Sequence, residues 1–401
     1  MLRKRFPFLV RQSLTTLALT ATLIATAWAQ PKFKILATVP GGLFSGLTFD
    51  VKGNLYGGTG GGGEHNDGTI FELTPGAHGW TLTTIHSFDG YDGGSPNGGL
   101  IFGAAGNLYG TSPSGGTYDG GNVFELAPGV DSWTFNDLYD FCPQYHCPGG
   151  SAPKAGVVIG NGGSLFGTTA SGGSVDEGVV FKLAPGSGKW NESVLYNFDG
   201  RKGGIQPYAP LIFDAEGNLY GTTAGTNVYQ EGTVFELVQH LDWKERKLWQ
   251  FDGADGAGPS HGVVFDASAN LYGTAGGGKD ACSGFLCGVV FSLTQTQNGR
   301  WKETVIHNFS NEADGWLPSS GVVLDKAGNL YGTTGVGGIG DCPDGCGVVY
   351  RLAPAANGKW QYTVLHRFTG SDGGEPGGGL IFDKKGNLYG TAYNVVYEIT
   401  P

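Results

Sequence analysis

Asp214-Ala215-Glu216-Gly217-Asn218-Leu219-Tyr220-Gly221-Thr222 reads as a tight turn that feeds a strand. The Asp can accept a bond from the turn backbone, and the Gly supplies positive φ. Its core, Asn-Leu-Tyr-Gly, starts at Asn54, Asn107, Asn218, Asn270, Asn329 and Asn387, and a degenerate copy, Ser164-Leu165-Phe166-Gly167, fills the one gap. Successive copies lie 53, 57, 54, 52, 59 and 58 residues apart. A period of that size means a propeller or a solenoid.

Working outward from the tetrapeptide, each unit resolves into four strands. Strand a is a short apolar run such as Leu100-Ile101-Phe102 or Val263-Val264-Phe265, unbroken as in a strand covered on both faces. Strand b is the Asn-Leu-Tyr-Gly-Thr segment. A Gly-rich loop leads to strand c, for example Val179-Val180-Phe181-Lys182-Leu183. Strand d opens with Trp and closes with Phe, as in Trp190 to Phe198 and Trp301 to Phe309. Its interspersed charges protect an exposed sheet edge. This order predicts burial falling from a, at a propeller axis, to d, at the rim.

The two ends complement each other. Phe33 to Val39 reads as a strand d without partners, and the last unit stops after its strand c, Val395 to Ile399. The sequence therefore predicts an all-β, seven-bladed propeller of four-stranded antiparallel blades, closed by the N-terminal strand completing the last blade. The units fall near 41–88, 94–141, 151–198, 205–251, 257–309, 316–368 and 374–401 plus 33–39, in one domain spanning 30–401. An open solenoid would need caps instead.

Residues 1–29 read as a secretory signal, with basic Arg3, Lys4, Arg5 and Arg11, an apolar run from Leu14 to Ala27, and Ala27-Trp28-Ala29 before Gln30. The expected location is periplasmic, secreted or at the cell surface, without a membrane span in the mature chain. Removing that segment removes four bases and no acid. Of 24 bases and 35 acids, 20 and 35 remain, a net charge of −15. That excludes nucleic acid as an expected partner. Six cysteines form three close pairs, Cys142/Cys147, Cys282/Cys287 and Cys342/Cys346. In an exported chain such pairs read as disulfides, although a swap between the last two pairs stays open.

In a four-stranded meander the b–c and d–a loops share one face. Here they are the long, variable loops, and they carry 19 acids against four bases. Binding normally resides on such loops. The candidate ligand residues are Glu64, Asp67, Asp89, Asp92, Asp252, Asp255, Asp314 and Asp372. The Asp89-Gly-Tyr-Asp92-Gly and Asp252-Gly-Ala-Asp255-Gly stretches also suggest calcium. They lack the further acids and closing Glu of an EF-hand, so a plain turn is the stronger reading. His86, His307 and His366 recur at one position of strand d and mark a structural slot. The Tyr of each Asn-Leu-Tyr-Gly unit reads as packing between blades, ahead of sugar stacking. Gly58 to Gly63 matches a dinucleotide fingerprint without its helix, and neither HExxH nor a GxSxG elbow is present.

Gly379-Leu-Ile-Phe-Asp383, Gly386-Asn-Leu-Tyr-Gly-Thr391 and Gly178-Val-Val-Phe-Lys-Leu183 carry a resemblance to the bacterial GloVer-type tandem repeat, covering nearly all of 41–401. The resemblance implies an exported or surface protein, often anchored at its C-terminus, and implies no catalytic residues. No anchor is expected here, where Pro401 follows strand c. The sequence thus predicts a non-catalytic, monomeric binding or scaffold propeller for an extracellular glycan, peptide or surface protein, without a cofactor. Two alternatives accompany it. One is a carbohydrate hydrolase or lyase with carboxylates at the axial pocket, and the other is a calcium-stabilised module.

Overall fold

The computed structural model describes residues 30–401 apart from 43–44, 131, 201–203, 226–230, 280, 283–284, 311–312, 339 and 357. The side chains of 241, 281–282 and 285–286 also lie outside that description, as do residues 1–29. Pro31–Pro401 forms one compact unit of seven antiparallel blades. In the second blade, strand a is Ile101–Phe102, b is Leu108–Ser112, c is Asn122–Pro128 and d is Trp133–Asp140. Blades 1 to 6 run from a to d over 48–87, 101–140, 158–197, 212–250, 264–308 and 323–367. No helix among the described residues is long and apolar enough to cross a membrane.

The seventh blade closes the ring as its sequence predicts. Strands Gly377–Phe382, Leu388–Ala392 and Val395–Thr400 receive Lys32–Thr38 as their fourth member. Ile35 pairs with Tyr397 across the antiparallel ladder. Phe33 stacks on His366 of blade 6, centroids 3.7 Å apart and planes 4° off parallel. Leu36 and Val39 join the apolar cluster between blades 7 and 1, with Leu55 and Phe71. One strand thus ties together three blades, and burial of each such side chain stabilises by about 1.5–3 kcal/mol.

The repeated Asp-x-x-Gly-Asn-Leu-Tyr-Gly has a direct physical reading. Asp325 accepts from the Ala327 N–H (2.8 Å), the Asn329 N–H (2.9 Å), Asn329 Nδ2 (2.7 Å) and the Tyr331 hydroxyl (3.0 Å). The same clamp recurs at Asp50, Asp214, Asp266 and Asp383. Burial raises the Asp325 pKa, but the donated bonds outweigh it and hold the carboxyl below its ordinary range. The Tyr so oriented meets the next blade edge-on: Tyr56 with Phe102, Tyr220 with Phe265, Tyr331 with Phe382, Tyr389 with Phe49. Such pairs add about 0.5–1.5 kcal/mol each. The Gly after each Tyr is a close-approach residue. A Cβ at Gly273 would sit 2.6 Å from the fully buried Phe291 ring.

The core is accordingly seven apolar clusters, one at each blade junction, rather than one central mass. Burial does not fall steadily from a to d. Strands b and c are the most buried, whereas the two-residue strand a is half-buried in blades 1 to 6. The reason is the axial opening, which strand a lines and which leaves one of its faces uncovered. Blade 6 gains a short extra strand, Trp316–Pro318, and the b–c loop of blade 5 holds the hairpin pair Ala281–Cys282 and Phe285–Leu286. Neither was legible in the four-strand unit.

Candidate functional site

The d–a loops converge on the axis through a second repeated pattern, centred on Pro96, Pro153, Pro207, Pro259, Pro318 and Pro376. The residue before each proline has positive φ, including Ser95 (53°), Ala152 (54°), Gln206 (55°), Leu317 (58°) and Glu375 (47°). That conformation is costly for non-glycine residues. It is held because each turns its N–H onto the preceding blade. Ser95 donates to the Asp67 carbonyl (2.7 Å), Leu317 to Cys287 (2.7 Å) and Glu375 to Cys346 (2.9 Å).

Two residues beyond each proline stand Gly98, Ala155, Ala209, His261, Ser320 and Gly378, all small except His261, and strand b of the preceding blade holds this position. Thr111 donates to the Ala155 carbonyl (3.0 Å), Thr222 to His261 (3.1 Å) and Thr274 to Ser320 (2.8 Å). Blade 1 has Gly58 in the Thr position, where any Cβ would come within 2.2 Å of the Pro96 carbonyl oxygen. At that junction the backbones touch directly.

Between the proline and the small residue lies one position that differs around the ring: Asn97, Lys154, Tyr208, Ser260, Ser319 and Gly377 in blades 2 to 7. Its blade 1 counterpart lies outside the described residues. Five of these, all but Gly377, line an axial cavity of about 470 Å³, to which all seven blades contribute. Half-buried Ile101, Ile212, Val264 and Val323 form part of its wall. Lys154 Nζ stands 4.4 Å above the centre of the Tyr208 ring. Asn97 Oδ1 is buried without a hydrogen-bond partner. Burial raises the Tyr208 pKa, so the phenol keeps its proton and can donate. Burial lowers His261 to about 4, against a smaller upward pull from its bond to the Ser319 backbone, so this ring is neutral at ordinary pH.

Among the described residues no Asp or Glu lines the cavity. The eight acids singled out in the sequence lie in the surrounding loops and do not converge. Asp89 accepts from the Tyr91 and Asp92 N–H groups, while Asp92 accepts from the Asp89 N–H and contacts His86 Nε2 at 2.8 Å. Asp252 and Asp255 repeat the arrangement, with Trp249 Nε1 as the ring donor (2.9 Å). Asp372 holds His366 (3.0 Å), and Asp314 lies 3.4 Å from His307. Glu64 is exposed, and the Asp67 carboxylate lies against Gly90. Each suspected calcium pair is therefore a closed turn anchoring a d–a loop to strand d. Among the described residues no three acidic, imidazole or thiolate groups gather as metal ligands would.

The recurrent His slot is an inter-blade contact: His86 stacks on Phe135, His307 on Tyr362 and His366 on Phe33. Sequence reasoning missed two rim acids. Asp137 is pushed up to about 7 by burial and the nearby Asp140 carboxylate, and Glu303 to about 7 by burial and Asp255. Both sit in strand d, away from the axis. Cys142–Cys147 and Cys342–Cys346 are disulfides; the Cys282/Cys287 pairing falls outside the described residues through Cys282.

Fold and site together define a closed seven-bladed β-propeller with a heterogeneous ring of side chains at its axial mouth. The chain belongs to the Gloeobacter/Verrucomicrobia repeat family, whose model matches residues 33–205, 134–298 and 282–398. No curated protein sequence matches it. Among 298 matching solved chains is a protein from a Thermus thermophilus strain, assigned as an oxidoreductase (glucose dehydrogenase). The two are 15% identical over 83% of this chain and 99% of that one, with a TM-score of 0.44, a likeness too distant to carry any argument.

Proposed function

We propose that this is an extracytoplasmic, non-catalytic binding propeller that takes a glycan at the axial mouth of its long-loop face. One observation carries the reading: successive blades of a rigid scaffold present Asn97, Lys154, Tyr208, Ser260 and Ser319 from one repeat position around a single axial cavity. Its cavity of about 470 Å³ falls in the ordinary range for small-ligand sites. The mixture of apolar wall, aromatic ring, amide, ammonium and hydroxyls suits a sugar unit. Glycoside hydrolysis needs two carboxylates about 5–9.5 Å apart. The described axial lining offers none, which favours binding over turnover. The two disulfides support an oxidising compartment.

The test is a glycan array probed with the 30–401 chain, paired with a Tyr208→Ala variant. Saturable binding that this variant weakens at least fivefold, at unchanged melting temperature, is the expected result. Reproducible cleavage of an arrayed polysaccharide, or binding indifferent to Tyr208, would overturn it.

A further inference from the structure

The polar half of the mouth lies on three successive blades: Asn97, Lys154 and Tyr208. We propose that this arc selects a hydroxylated monocarboxylate, the chemistry of a uronic acid unit. The inference rests on the binding reading above and specifies its ligand.

Lys154 is exposed, and it is the one Lys, Arg, Asp or Glu among the described lining residues, where His261 stays neutral. Its ammonium stands over the Tyr208 ring and pairs with no acid among the described residues. No carboxylate in the described lining competes for it. A carboxylate on the ligand is the group that makes a charge-assisted bond there, and the protonated Tyr208 phenol beside it supplies a second donor.

The amide of Asn97 adds the second half of the specification. Its Oδ1 is buried away from the opening, so the NH₂ is the group that the cavity lining offers, and it donates to a ligand hydroxyl next to the carboxylate. If the amide is turned by 180°, Oδ1 takes that place and accepts from the hydroxyl instead. A cationic ligand would meet Lys154. A polyanion would meet the acid-rich loops around the mouth, whose field repels extended negative charge. A single acidic sugar escapes both and lays its C–H face on Ile101 and Ile212, which line the wall.

Titration of the 30–401 chain with glucuronate, glucose and 3-phenylpropanoate by calorimetry or ligand-observed NMR tests this. Glucuronate should bind at least tenfold tighter than either comparison ligand, and its affinity alone among the two sugars should fall with added salt. Lys154→Met should reduce glucuronate to the level of glucose without moving the melting temperature. Asn97→Leu should bring glucuronate down toward 3-phenylpropanoate. Glucose equal to glucuronate would overturn the carboxylate assignment, and 3-phenylpropanoate equal to glucuronate would overturn the hydroxyl one. If arrayed glycans bind but none of these three ligands does, the ligand class is wrong and the binding propeller stands. If nothing binds in either experiment, both fall together.

Discussion

Replacing Asp325 by alanine tests whether the repeated turn is held by its carboxylate clamp. Four donors converge on this side chain at 2.7–3.0 Å. A net protein hydrogen bond contributes about 0.5–1.5 kcal/mol, and more when one partner is charged. The donors here are partly solvated and act as one unit, so their losses do not add fully. About 2–3 kcal/mol is the expected local cost. Native-state hydrogen exchange at Asn329, Leu330 and Tyr331 reads it directly, as a roughly 30- to 150-fold loss of protection. Blade 3, which carries Gly160 in place of the Asp, should show no change. The carboxyl titrates below its ordinary range in the folded chain. Its contribution is therefore complete above about pH 4, its unfolded pKa, and fades as pH falls through the lower folded value. Asp325→Asn should remove that acid dependence while retaining part of the clamp. Protection that changes less than threefold in Asp325→Ala, or falls equally in all blades, would refute the reasoning.

His261 should impose a second, milder acid dependence. Its folded pKa of about 4 lies below the unfolded 6.5, so its neutral form stabilises fully above 6.5 and loses up to about 3 kcal/mol as pH falls toward 4. His261→Gln should flatten the denaturation profile across that window, and an unchanged slope would contradict it. Leu317, at φ 58° and 48% exposed, sits in the left-handed region at a cost. Leu317→Gly should stabilise by about 0.5–1 kcal/mol after the added freedom of the unfolded chain is counted, and a lower melting temperature would count against the strain. The Asp89/Asp92 and Asp252/Asp255 turns close on their own N–H groups, so melting in chelator and in millimolar calcium should coincide. A rise of several degrees with calcium would show a cage that these turns do not form.

The architecture was legible because its signal is written seven times. The tetrapeptide period, the orphan strand at Phe33 to Val39 and the unfinished last unit each bear on topology, and local chemistry needs only to be consistent with them. The Tyr and His repeats were read as structural for the same reason, and the Tyr56–Phe102 and His86–Phe135 contacts bear that out. The mouth was less legible. Asp and Glu attract attention in Gly-rich loops, yet Asp92 and Asp255 spend their oxygens on turn N–H groups and ring donors. The informative signal was the opposite of a motif: one position after a recurring proline that reads Asn, Lys, Tyr, Ser, Ser and Gly. Sequence alone gives such variation no address. Only the closure of the ring shows that five of these six positions line one axial cavity. Strand a was expected to be the most buried for a similar reason, since an apolar run does not reveal that one of its sides borders an opening.

All of this depends on the N-terminal strand completing blade 7. Lys34 and Glu398 are directly paired across that ladder, which places their Cα atoms about 4.5–5.5 Å apart on one face. That spacing is within disulfide reach. A Lys34→Cys/Glu398→Cys variant, mildly oxidised and mapped by peptide mass spectrometry, should therefore yield a bridge between the two peptides within a single monomeric chain. Free thiols at both positions, or bridges formed only between molecules, would contradict the closed ring and with it the axial mouth.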